Sequence, residues 1–146
     1  MPRVASVIEV PGAATARVWE VVRETEGYAH RAGHVLEVSR RTDGDLEWAV
    51  LFNGSRVAWV LREEVQPSWR VRFEQVHGDL DQLRGVIEVA PAPAGSRVSL
   101  VIDFELGIDG LAPLFDPLWA RSFERHADAL LRAVSDQVSE GQAFVR

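Results

Sequence analysis

The chain of 146 residues contains no cysteine, which removes thiolate catalysis, zinc ribbons, iron–sulfur ligation and a disulfide framework together. It contains no lysine either. All 16 basic residues are arginine, so neither a Schiff-base lysine nor a lysine-dependent phosphate loop is available. Tyrosine occurs once, as Tyr28, and methionine once, as Met1. Positive charge is in deficit. The formal net charge of −6 argues against a nucleic-acid binder, because phosphate contacts need a basic face. No apolar run approaches the ~20 residues of a membrane span, and Met1 to Val10 turns polar too soon for a signal peptide. These absences lead us to expect a soluble, cytoplasmic protein. What is present is globular, with 47% hydrophobic and 26% charged residues. The length suits a single domain over residues 1–146, with a core large enough to need no metal or disulfide staple.

Patterning supplies the order of elements. Ser6–Val10 reads as a strand ended by Pro11-Gly12, and Ala13–Arg23 as a helix, with Val18, Trp19 and Val22 on one face. A second short helix or turn covers Glu26–Ala32. From Val35 the apolar period changes to two and stays there to about Leu106. Turn signals at Asp43-Gly44, Asn53-Gly54, Gln66-Pro67 and His77-Gly78-Asp79, then the loop Pro91–Gly95, divide that stretch. The strands between them are Val35–Arg41, Leu46–Asn53, Arg56–Gln66, Ser68–His77, Leu80–Ala90 and Ser96–Leu106. Such short connections imply an antiparallel meander. After Gly107-Ile108-Asp109-Gly110, Asp116 can cap a helix opened by Pro117 that runs to about Val138. Its stripe is Trp119, Phe123, His126, Leu130 and Val134. The expected fold is α+β, a curved antiparallel sheet of about seven strands wrapped around a long C-terminal helix, with two short helices after the first strand. A cavity between sheet and helix is expected.

Alternation assigns the faces. The inner rows are Leu46, Trp48, Val50 and Phe52, then Val57, Trp59, Leu61, Glu63 and Val65. They continue with Trp69, Val71, Phe73, Gln75 and His77, then Leu83, Gly85, Ile87 and Val89, and end with Val98, Leu100, Ile102, Phe104 and Leu106. Gly85 leaves room for something else. This interior is aromatic, either as core packing or as a wall that suits a flat aromatic ligand, with a few polar groups: Glu63, Gln75, His77, Asp81 and His126. Glu63 either reaches solvent at a strand end or stands in an apolar cavity, where lost hydration raises its proton affinity and suits acid–base work. His77 and Asp81 face each other across their turn as a rim ion pair or as a carboxylate-oriented imidazole. His126 is either a satisfied core histidine or a cavity group. Tyr28 either closes a lid or packs.

Three stretches carry a resemblance. Val18-Trp19-Glu20-Val21-Val22 with Gly27-Tyr28, the strand pair from Trp59 to Val71 around Pro67, and Phe104-Glu105-Leu106 through Gly110–Leu114 to Glu124-Arg125-His126 are similar to bacterial polyketide aromatase/cyclases. These belong to the START and birch-pollen-allergen superfamily of helix-grip folds, and coenzyme Q-binding START proteins share much of the pattern. The resemblance covers nearly the whole chain. It implies a cofactor- and metal-independent lyase-type step of antibiotic biosynthesis, in which a poly-β-ketone is folded, cyclised by aldol chemistry and dehydrated. The chain departs from the family where a cavity arginine is replaced by Glu63, with Arg62 adjacent but facing outward. His34 falls near the family's proton-donating tyrosine, and His126 where relatives carry asparagine. The candidate catalytic set is Glu63, His77, His126 and Asp81. The candidate substrate-binding set is Tyr28, His34, Trp48, Phe52, Trp59, Leu61, Phe73, Gln75, Leu83, Ile87, Trp119 and Phe123. The expected partners are a hydrophobic or polyketide small molecule and, through outward arginines, an acidic acyl carrier protein, with the chain a monomer or homodimer. A carrier for a lipid, quinone or aromatic product is the second reading, and a partner-binding module of the ribosome-associated START type the third.

Overall fold

A computed structural model describes residues 1–107 and 112–144, and within these all side chains except those of residues 112, 113 and 142–144. The elements follow the expected order. They are β1 (Arg3–Pro11), α1 (Thr15–Arg23), a 3-10 turn (Thr25–Gly27), α2 (Tyr28–Arg31), β2 (Val35–Arg40), β3 (Leu46–Phe52), β4 (Ser55–Gln66), β5 (Arg70–Gly78), β6 (Gln82–Ala92), β7 (Gly95–Glu105) and α3 (Ala112–Phe144). The seven strands form one antiparallel sheet in the order β1-β7-β6-β5-β4-β3-β2. The chain therefore leaves one edge at β1 and re-enters at the other edge at β2. The short helices make that crossing. The architecture is the helix-grip fold, a curled sheet gripping α3.

Local chemistry explains the joints. Asn53 and Gly54 both have positive φ, 53° and 80°, as the tight two-residue hairpin between β3 and β4 requires. The connection from β4 to β5 differs from expectation. Ser68 and Trp69 both lie in the left-handed region, so Trp69 belongs to the turn and β5 begins at Arg70. The helix α3 also begins earlier than expected, at Ala112, with Pro117 inside it instead of at its first position. A second proline, Pro113, already stands at the helix start, which is the place a missing N–H is tolerated. The expected linker from Ile108 to Gly110 lies outside the described residues. No helix among them is long and apolar enough to cross a membrane.

The core lies between the concave face and α3. Phe104, Phe123, Leu46, Leu100, Leu131 and Val134 are fully buried there, and α3 adds Ala127, Leu130 and Val138. The inner rows hold through most of β3, β4, β6 and β7. At the far end of β4 the alternation fails, because Val65 is 55% exposed beyond the edge of the helix cover. Val60, expected outside, is buried on the opposite face.

Gly85 shows what its missing side chain is for. It pairs with Phe73, and a Cβ there would stand 2.4 Å from Phe73 Cζ and 2.3 Å from the Val101 carbonyl oxygen. The space belongs to the Phe73 ring. Gly85→Ala should therefore destabilise the fold by about 1–3 kcal/mol, as overpacking does. Urea unfolding reads this as a lower midpoint; an unchanged midpoint would mean that the ring moves aside at no cost.

Candidate functional site

A cavity opens between the sheet and α3, with about 50 Å³ of free space for water. A water needs ~10–15 Å³ on this measure, so this space holds only a few. Its wall is Val22, Thr25 and Tyr28 from the helical crossing, Trp48, Trp59, Leu61 and Glu63 from β3 and β4, and Val71 and Phe73 from β5. Leu83 and Ile87 from β6, Leu100 and Ile102 from β7, and Phe123, His126 and Leu130 from α3 complete it. Most of these are buried; only Glu63 and Phe73, paired in register on neighbouring strands, are partly exposed. The cavity thus approaches the surface at Glu63 and Phe73, beside Thr25.

Glu63 is half-buried, and Thr25 Oγ1 donates to its Oε2 at 2.9 Å. Burial raises its pKa above the ordinary carboxylate value. The Thr25 hydrogen bond and the Arg40 charge oppose the rise, and Glu26 adds to it. Tyr28 stands on the same wall. Burial, reinforced by the negative charge of Glu63, pushes its phenol far up, so it stays protonated. The Tyr28 hydroxyl and the Nε1 atoms of Trp48 and Trp59 are buried with no hydrogen-bond partner among the described residues. An unpaired buried donor costs ~1–3 kcal/mol, which an acceptor on a ligand could recover. Trp48 and Trp59 are directly paired across β3 and β4, with ring centroids 6.5 Å apart.

His126 lies at the centre of an aromatic cage. Trp59 and Phe52 are each 5.7 Å from its ring and Trp48 is 5.9 Å, with Phe123 one turn back on α3 at 6.3 Å. Its Nδ1 is 2.6 Å from His34 Nε2. Burial, with His34 adding to it, lowers the His126 pKa from 6.5 to about 3, and burial also lowers that of His34. The unfolded chain then binds more protons than the folded one between those two values. His126 should contribute stability that is complete above pH 6.5 and is lost as pH falls toward 3, by up to about 1.4 kcal/mol per unit. Glu63, with its raised pKa, works in the opposite sense. The His126 share is isolated by comparing acid unfolding of wild type and His126→Phe. Parallel stability curves would show that the imidazole is not held neutral.

The other expected residues are placed differently. A bulge shifts the β4–β5 register, so that Val60 pairs with His77 but Leu61 pairs with Gln75, leaving Val76 as the extra residue. That one residue inverts the alternation and turns His77 to the outer face. There His77 borders a hollow of about 320 Å³ with Glu37, Glu47, Arg56 and Asp79. The expected His77–Asp81 pairing is absent. The β5–β6 register ends at Glu74 and Arg84, and Asp81 is exposed with its N–H donating to the Glu105 carbonyl. Gln75 does not line the cavity; its Nε2 donates to the Leu80 carbonyl at 2.8 Å and ties the turn. Phe52, Trp119 and His34 also lie off the wall. Phe52 and Trp119 meet edge to face behind it at 6.0 Å, and His34 reaches it only through His126. Arg62 faces outward as expected, forked onto Asp45 at 3.2 and 3.1 Å. Thr25 escaped the sequence reading, since a threonine between two glutamates carries no signal for the strand it meets. Among the described residues no three His, Asp or Glu side chains converge as a metal site.

The fold has many solved counterparts. A protein from Thermus thermophilus, TTHA0849, is 26% identical and superposes with a TM-score of 0.86, covering 96% of this chain and 99% of that one. The Zhui aromatase/cyclase from Streptomyces sp. R1128 is 19% identical, with a TM-score of 0.83 over 94% of this chain and 93% of its own. Ara h 8.0201 shares the fold at 12% identity and a TM-score of 0.71, over 95% and 98% of the two chains. No curated protein matches the chain in sequence. The family described as polyketide cyclase / dehydrase and lipid transport matches residues 11–135. With its motifs, its helix-grip fold and its aromatic cavity all in agreement, the chain belongs to that family.

Proposed function

We propose that the protein is a cofactor-independent polyketide cyclase/dehydratase of the aromatase type. The observation that supports this best is a partly desolvated carboxylate, Glu63, on the same wall as the unpaired donors of Tyr28, Trp48 and Trp59. Glu63 takes the proton from an acidic carbon between two ketones, and the resulting enolate attacks a carbonyl of the same chain. The oxygen that gains charge in this step receives hydrogen bonds from the tyrosine and indole donors, which take the place of the family's arginine. Glu63, now protonated, returns that proton to the alkoxide to give the aldol, then takes the second proton from the same carbon and delivers it to the departing hydroxyl. Loss of water and enolisation of the remaining ketones yield the aromatic ring. Substrate needs more space than the cavity now offers, and the partly exposed Glu63–Phe73 pair is where the wall parts.

The wall is otherwise apolar except for Thr25 and His126, which favours a second reading, a carrier for an aromatic or lipid-like molecule. Product profiling separates the two. Mass spectrometry on a system making the nascent polyketide should show a changed ring pattern when this protein is present. An unchanged product distribution would leave the carrier.

A further inference from the structure

The steps above make no use of the His34–His126 pair, a polar contact that leads from the cavity wall to a residue behind it. His126 presents its ring to the cavity, while His34, in the connection between α2 and β2, is half-buried and off the wall. Their 2.6 Å contact occupies His126 Nδ1, and among the described residues no protein group bonds His126 Nε2. The other aromatic side chains around the His126 ring are Trp48, Phe52, Trp59 and Phe123, none of which ionises in the accessible pH range. The titratable groups elsewhere on the wall are Tyr28 and Glu63.

An imidazole held in this way adapts to its ligand. When His34 Nε2–H donates to His126 Nδ1, His126 carries its own proton on Nε2 and offers a donor to the cavity. If a further proton enters, His126 becomes imidazolium, and its Nδ1–H donates to a neutral His34 across a charge-assisted bond. In the empty apolar cage that charge has no counter-ion and is disfavoured. An anionic oxygen of the ligand at Nε2 supplies one, and the aromatic faces around the ring favour the cation further.

We propose that the His34–His126 pair makes the cavity selective for flat aromatic ligands with an ionisable ring hydroxyl, bound as the oxyanion together with one proton drawn from solvent and shared between the two imidazoles. The balance is simple. A phenolate of charge −1 and one proton enter, no covalent bond forms, and the complex gains no net charge. This rests on the reading of the cavity as an aromatic-ligand site, and names the ligand chemistry that the site prefers.

The test is titration calorimetry with 2-hydroxyanthraquinone, at a pH where it is the phenolate, against anthraquinone, in buffers of different ionisation enthalpy. Wild type should bind the hydroxylated probe roughly tenfold or more tightly, as a site built for a polar oxygen does, and take up about one proton per ligand. His34→Phe should abolish the uptake and the preference while still binding anthraquinone, and His126→Phe should abolish the uptake. Should His126→Phe disturb the cage, His34→Phe decides, because His34 is not on the wall. Equal binding of both probes without proton uptake, or uptake undiminished in His34→Phe, overturns the proposal and leaves the aromatic-ligand reading standing. Failure of wild type to bind either probe overturns both.

Discussion

Glu63→Gln should lower the rate of cyclisation by roughly 10²–10⁴-fold while the protein stays folded, a loss typical of removing a general base. Glutamine keeps the shape of the side chain and can still accept from Thr25 Oγ1, which now lies 2.9 Å from Glu63 Oε2. It lacks the basic oxygen. Binding of an aromatic ligand should change little, since the surrounding wall of Leu61, Val71 and Phe73 is untouched. Single-turnover product formation, followed alongside ligand affinity, separates the two effects. A variant as fast as wild type would place Glu63 in a closing contact with Thr25 and move the base elsewhere on the wall.

Phe123→Ala should destabilise the fold by about 3–5 kcal/mol, the usual cost of emptying a buried phenylalanine site. The ring is fully buried between Phe104 at 4.8 Å, Phe52 at 5.1 Å and Trp59 at 5.9 Å, so it joins α3 to three strands at once. Removing it enlarges the cavity and takes one ring contact from each of the three. Leu118 lies on the same helix but is 46% exposed, and Leu118→Ala should stay within about 0.5 kcal/mol of wild type. Urea unfolding of both variants checks the contrast. Similar midpoints would mean that the helix end, and not the aromatic cluster, carries the attachment of α3.

The contrast between these residues also shows what could be read from the sequence. Period-two alternation and turn residues such as Asn53-Gly54 located every strand, because side-chain direction and turn geometry are local properties. The same logic put Trp48, Trp59, Leu61, Leu83 and Ile87 on the cavity wall, and the helical stripe of α3 put Phe123 there. It failed at His77, where a single bulged residue, Val76, reverses all positions beyond it. Nothing in Gln75-Val76-His77-Gly78 marks a bulge, since the extra residue is defined by its partner strand. The His34–His126 contact was beyond reach for a related reason. Ninety-two positions separate the two residues, and His34 lies in a connection with no periodicity to aim it. Gly85 was legible as a gap but not as the seat of Phe73, because that pairing depends on the β5–β6 register.

Whether the space between α3 and the sheet takes up a flat aromatic molecule is measured most directly by intrinsic tryptophan fluorescence. Trp48 and Trp59 are buried on the cavity wall, so a bound anthraquinone would lie against them. Wild type should show saturable quenching with one ligand per chain, and Ile87→Phe, which fills the cavity from β6, should lose it while remaining folded. No saturable quenching of wild type, or equal quenching of the filled variant, would contradict the account.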